Sequence, residues 1–252
     1  VKLAAGCFVL LSSVPVLCQD ETVLRDALRK FSEDFSRSGA GDEEKIAAVK
    51  ALAQYRTDQV VRTLSPALTH GSVKVRMAVA REMGGFQSVP AAPEALVAAL
   101  KTYETSGKKT DGIRILSLRS LGQLKAKEAA PEVDRLIGDR SQWVSKAAVD
   151  ASGLIRSKTS IEPLVKALRR IEGPEGNGEI GVNPLLDELP PVSLQAIVKQ
   201  SVVEKVRPPS ERDVLTEPIA GALKSITRTS CSGAKEWESW WSKNKATFKV
   251  PE

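Results

Sequence analysis

A chain of 252 residues that is 42% hydrophobic and 27% charged is long enough to bury a real core and ordinary for a soluble globular protein. Aromatic residues make up only 4%, so the core must be built from Leu, Val, Ile and Ala, which suits close-packed helices better than a β-sandwich. The net charge of +6 admits acidic partners, but no run of like charges forms a basic tail, and the excess reads first as a solvated surface.

The first residues read as an address. Lys2 precedes an apolar run from Leu3 to Leu17, followed by Cys18, Gln19 and Asp20. A short basic start and an apolar stretch of this length describe a secretory signal peptide over residues 1–18, with the mature chain beginning at Gln19. The run is shorter than the roughly 20 apolar residues that span a bilayer. The expected compartment is therefore periplasmic or extracellular, with membrane attachment only if Cys18 is lipidated. Loss of Cys7 and Cys18 would leave Cys231 as the sole thiol, so export here brings no internal disulfide.

Residues 19–41 are expected to form an N-terminal helix and linker. From residue 42 the chain repeats itself. Val75-Arg76 leads to Met83-Gly84, Ile113-Arg114 to Leu121-Gly122, and Val144-Ser145 to Ser152-Gly153. Behind each comes a proline marker: Ala92-Pro93-Glu94, Ala130-Pro131-Glu132 and Ile161-Glu162-Pro163. Within one unit, Val144, Ala148, Ala151 and Ile155 make a single apolar helical stripe, and Ile161, Leu164, Val165 and Leu168 make a second. Ser160 is placed to cap that second helix. An earlier pair runs through Ile46, Val49 and Leu52, then Val60, Val61, Leu64 and Leu68. Four helical hairpins are thus expected over residues 42–172. No hairpin can bury its apolar face alone, so neighbours must stack.

The markers are more widely spaced between the second and third units, which places an insertion at Thr102 to Lys109, expected to be a surface loop. A glycine-rich linker comes next, over residues 173–183. It lacks the Gly-Lys-Ser/Thr ending and the preceding strand of a phosphate loop, and its acidic residues lack EF-hand spacing. Residues 184–252 return to helical grammar. Pro191 can open a helix through Leu194, Ile197, Val198 and Val202, and Glu217-Pro218-Ile219 echoes Glu162-Pro163-Leu164, so a further second helix is expected to start near Glu217. Trp237, Trp240, Trp241, Asn244 and Phe248 then share one helical face, as a cap that closes the last hairpin or as an aromatic ligand platform.

The Val-Arg and Leu-Gly pairs of these units resemble those of HEAT and HEAT-like repeat proteins. The resemblance implies an all-α fold, an α-α superhelix, that is, a right-handed solenoid of helical hairpins. The closing Ala222 to Thr227 and the Trp-x-x-Trp-Trp-x-x-Asn pattern resemble the ending of exported bacterial HEAT-repeat proteins, with Arg228 where a glycine commonly follows the threonine. In such proteins the second helices tend to line the partner-binding face. Arg62, Lys101, Arg135, Lys166 and Arg169 are the polar positions there and are the candidate partner-binding residues.

Catalytic chemistry finds little to stand on. There is one histidine, His70, and no second histidine or cysteine cluster for zinc. Cys231 has no sequence-local histidine, and no Gly-x-Ser-x-Gly elbow occurs. Asp187-Glu188 lies before Pro190-Pro191 without a histidine nearby. Asp58, Glu94, Glu132, Glu162 and Glu217 fall near expected helix starts and Lys101, Arg169, Arg170 and Lys224 near helix ends, where the helix dipole favours them. The expected function is a non-catalytic scaffold that binds a protein partner as a monomer, with no catalytic, cofactor or metal residues. The alternative is a HEAT-like enzyme or accessory factor, similar to bilin lyases or to alkylated-base DNA glycosylases. Export argues against both, since their substrates are intracellular, and nucleic acid is not the expected partner.

Overall fold

The computed structural model describes residues 15–104, 110–173 and 210–251, with side chains from residue 21 onward. Eleven α-helices and four short 3-10 helices account for the regular structure among these residues, and no strand occurs among them. No described helix is long and apolar enough to cross a membrane. The chain divides into two units, residues 1–129 and 130–252.

The first unit holds α1 (Pro15–Ser36), α2 (Asp42–Leu52), α3 (Asp58–Leu64), α4 (Val73–Met83), α5 (Ala91–Thr102) and α6 (Asp111–Leu124). The first helices of successive hairpins stack in order, α2 on α4 and α4 on α6, with α1 laid against α2. The second helices form their own layer, α3 on α5. Val49, Val60, Val61, Leu64, Val75, Val79, Met83, Leu96, Ile113 and Leu121 are fully or almost fully buried between the layers. These are the stripe positions at helical spacing, and removing them from water is the main stabilising term.

The two halves of the repeat signature do separate jobs. Gly84 has ordinary right-handed helical angles, so conformation does not demand glycine there. Approach does: a Cβ would stand 2.9 Å from Ser120 Oγ, whose hydroxyl donates to the Ala80 carbonyl at 2.7 Å. The arginine half works at the hairpin's edge. The Arg76 guanidinium lies over the Tyr103 ring at 5.1 Å, and the Tyr103 hydroxyl donates to the Leu68 carbonyl at 2.8 Å. Tyr103 is only 7% exposed, which corrects the expectation of a surface loop beginning at Thr102. Its ring closes the core, so Tyr103 belongs to the hairpin and not to a loop. Residues 105–109 of that insertion lie outside the described residues.

The second unit holds α7 (Ala130–Arg135), α8 (Gln142–Ile155), α9 (Ile161–Glu172), α10 (Glu211–Thr227) and α11 (Ala234–Asn244). Here α10 packs along α8 and against α9, whereas α11 packs on α9. The helix containing Glu217-Pro218 therefore takes the first-helix position of its hairpin, and α11 takes the second. The echo with Glu162-Pro163 misleads because the two prolines sit differently. Pro163 is in the first turn of α9, where no intrahelical N–H is needed, while Pro218 is inside α10. The true start is Ser210, which forms a capping box with Asp213, so Glu217 is a mid-helix residue.

Ser160 also departs from expectation. A 3-10 turn, Lys158–Ser160, leads straight into α9, so Ser160 already has helical angles and makes no cap. The cap is Ser157, whose hydroxyl accepts from the Thr159 N–H. The expected linker 173–183 is described only at Gly173, which ends α9 at φ 81°, and the expected helix at Pro191 and the pair Asp187-Glu188 lie outside the described residues.

Candidate partner-binding surface

Each second helix spends its apolar stripe on the core, so what it offers outward is the polar remainder. In the first unit Arg62 is exposed on α3, its Nε donating to Asp58 Oδ2 one turn back at 2.6 Å, and Lys101 is exposed in the last turn of α5. In the second unit Arg135 is exposed and pairs with Glu132 at 2.6 Å, Lys166 is exposed on α9, and Arg169 is half-buried in its last turn. All five therefore lie on second helices, two in one unit and three in the other. Arg62 and Arg135 already hold intrahelical carboxylates, which restricts their rotamers but, at such exposure, contributes little stability.

Three further contacts on this layer carry no local sequence signal, because their partners are distant in the chain. Glu172, in the last turn of α9, accepts the Ala234 N–H at 2.9 Å and so caps the start of α11. Lys245, just past α11, reaches Glu162 of α9 at 2.6 Å. Its hydrogen bond and charge hold the exposed Glu162 carboxyl below the ordinary carboxylate range. Arg170 pairs with Glu211 at the start of α10.

The tryptophan helix is built on the same contacts. Trp237 is 1% and Trp241 8% exposed, both turned to the body of the unit, while Trp240 is half-buried. Trp240 stacks on Trp241 with centroids 6.2 Å apart, and Phe248 returns edge-on to both rings, at 5.5 and 6.1 Å. The asparagine of the pattern has a definite role: Asn244 Nδ2 donates to the Trp240 carbonyl at 2.7 Å, satisfying a helix end. Arg228, where the related endings carry glycine, ends α10 in the left-handed region at φ 61°.

The groups able to do chemistry are tied into the fold. His70 Nδ1 accepts the Ser72 N–H at 3.0 Å, its Nε2 lies 3.2 Å from Lys45 Nζ, and its ring meets Phe35 edge-on. Burial pushes the Cys231 thiol upward, with Glu236 adding to the effect, which lowers its thiolate content at neutral pH and makes it a poor nucleophile. Glu236 itself is held below the usual range by the Ser232 N–H. Among the described residues no three His, Cys, Asp or Glu side chains converge as a metal site.

Comparison with family models gives a match to HEAT repeats over residues 36–110 and 104–174, more than half of the chain. The chain is a HEAT-repeat protein. HEAT repeats form helical scaffolds that typically mediate protein–protein contacts rather than catalysis. No curated protein matches it. The matched HEAT residues take in α2 to α9; α10 and α11 lie beyond them, yet keep the same stacking order, first helix on first helix and second on second.

Proposed function

We propose that this HEAT-repeat protein is a non-catalytic scaffold that holds a protein partner through the polar side of its second helices, working as a monomer in the periplasm or outside the cell. The observation that carries the reading is the division of labour on each hairpin: the apolar stripe is consumed by neighbouring helices, and the outward remainder is polar and charged. Arg62 and Lys101 in one unit, and Arg135, Lys166 and Arg169 in the other, are the residues that would meet acidic groups on the partner. The signal-like segment at residues 1–18 supports export, with α1 carrying the expected junction between Cys18 and Gln19 within its first turns.

The test is crosslinking of exported, native protein, comparing wild type with a Lys166→Glu, Arg169→Glu double variant. Loss of one defined crosslinked protein in the variant, with melting temperature unchanged, supports the reading. An unchanged crosslink pattern assigns the partner to another surface. Terminal sequencing of the exported material should give Gln19, and a lipid on Cys18 would place the protein on a membrane instead.

A further inference from the structure

Trp143 is the one tryptophan among the described residues that is largely exposed, at 51%, and it forms no ring contact there. It stands in the first turn of α8, on the same side of the helix as Leu154 three turns on, which is 49% exposed. Across from it α10 completes a shallow groove of about 460 Å³, lined by Trp143, Lys146, Asp213, Val214, Glu217 and Pro218.

The α10 side of this groove is lined by acceptors. Glu217 is exposed and forms no ion pair among the described residues, and Asp213 adds a second carboxylate, held in place by the Ser210 N–H at 2.9 Å and the Ser210 hydroxyl at 2.6 Å. Pro218 has no N–H, so the Val214 carbonyl one turn back loses its ordinary intrahelical donor. Among the described lining residues the single cation is Lys146, which is turned to Asp150 at 2.8 Å. A chain of net charge +6 thus carries, at the most exposed aromatic ring among its described residues, two carboxylates on the facing helix.

A flat indole face beside carboxylates matches the chemistry of one side chain in particular. Guanidinium is planar, stacks on aromatic faces, and carries five donors with no acceptor. We propose that the α8–α10 groove is a docking site for an arginine side chain of a partner polypeptide. The proposal rests on the scaffold reading but uses the first-helix layer, so it can fail while the second-helix surface stands, and the reverse.

The experiment is a titration of full-length protein, ¹⁵N-labelled at tryptophan, with a blocked pentapeptide containing one arginine among alanines. The Trp143 indole resonance, assigned by its loss in Trp143→Ala, should shift saturably in the millimolar range while those of Trp237 and Trp241 stay fixed. The citrulline peptide, neutral but equal in shape, should give no shift. Glu217→Gln should weaken the arginine peptide about tenfold, the size of one charge-assisted hydrogen bond. Equal binding of the citrulline peptide, or an unaltered response in Glu217→Gln, overturns the proposal, as does the absence of any saturable shift. Free arginine amide binding distinctly more tightly than the peptide would make this a small-molecule site and overturn the partner assignment.

Discussion

Gly153 of α8 and Ala222 of α10 meet so closely that a Cβ added at Gly153 would stand 3.2 Å from both the Ala222 Cα and its Cβ. The Ser225 hydroxyl uses the same closeness to donate to the Gly153 carbonyl at 2.8 Å. Glycine in the fourth hairpin is therefore a contact surface, as Gly84 is in the second.

A larger side chain there must push two packed helices apart. Gly153→Val should cost about 1–3 kcal/mol by overpacking, in spite of valine's lower backbone entropy. Gly221, exposed within α10 with nothing within 4 Å of an added Cβ, is the matched control. Gly221→Ala should raise stability by roughly 0.5–1 kcal/mol. Urea unfolding of both variants checks the opposite signs.

The tryptophans should rank by burial. Trp237→Ala is expected to cost about 3–5 kcal/mol, the range of large core truncations, and Trp240→Ala distinctly less, since its ring is half-buried and held by ring contacts with Trp237, Trp241 and Phe248. Thermal melts distinguish these outcomes. A Trp240→Ala variant as unstable as Trp237→Ala would mean that the ring stack, and not burial, carries this helix.

Lys125 ends α6 in the left-handed region at φ 51°, with an exposed side chain. Non-glycine residues are strained there by about 1–2 kcal/mol, so Lys125→Gly should stabilise by roughly 0.5–1 kcal/mol once glycine's greater unfolded freedom is counted. Denaturant midpoints give the sign directly.

Asp134 supplies a pH dependence of defined direction. Burial raises its folded-state pKa above the ordinary 3.8, against the opposing hydrogen bond that the Thr159 hydroxyl donates at 2.9 Å. A raised carboxyl favours the protonated form in the folded state. Its stabilising contribution is present at acid pH and is lost as pH rises through the folded value. Asp134→Asn lacks this titration, so the stability of the variant relative to wild type should increase between pH 3 and pH 7. A constant difference across that range would show that the carboxyl is solvated in the native protein.

The hairpins were readable because they depend on local grammar: stripes at helical spacing throughout, glycines at close crossings such as Gly84 and Gly153, and prolines in the first turns of α5, α7 and α9. What escaped depends on distant chain. Ser160 is drawn into the 3-10 turn that packs against α7 and α9, and Tyr103 is pulled from the expected loop by Arg76 and the Leu68 carbonyl. The position of α10 was hidden by the likeness of Glu217-Pro218 to Glu162-Pro163, although Ser210 and Asp213 mark its start. Trp143 looks like any first-turn residue until α10, far along the sequence, is laid beside it. For Arg62, Lys101, Arg135, Lys166 and Arg169, helical spacing predicts their place on second helices, but affinity is a property shared with a partner whose surface is not written in this chain.

The last turn of α9 has a consequence for how this chain tolerates change. Arg170 fastens the start of α10 through Glu211, and Glu172 fastens the start of α11 through the Ala234 N–H. Two side chains of one helical turn thereby order the starts of both helices of the final hairpin, so a change in that turn is felt by α10 and α11 together.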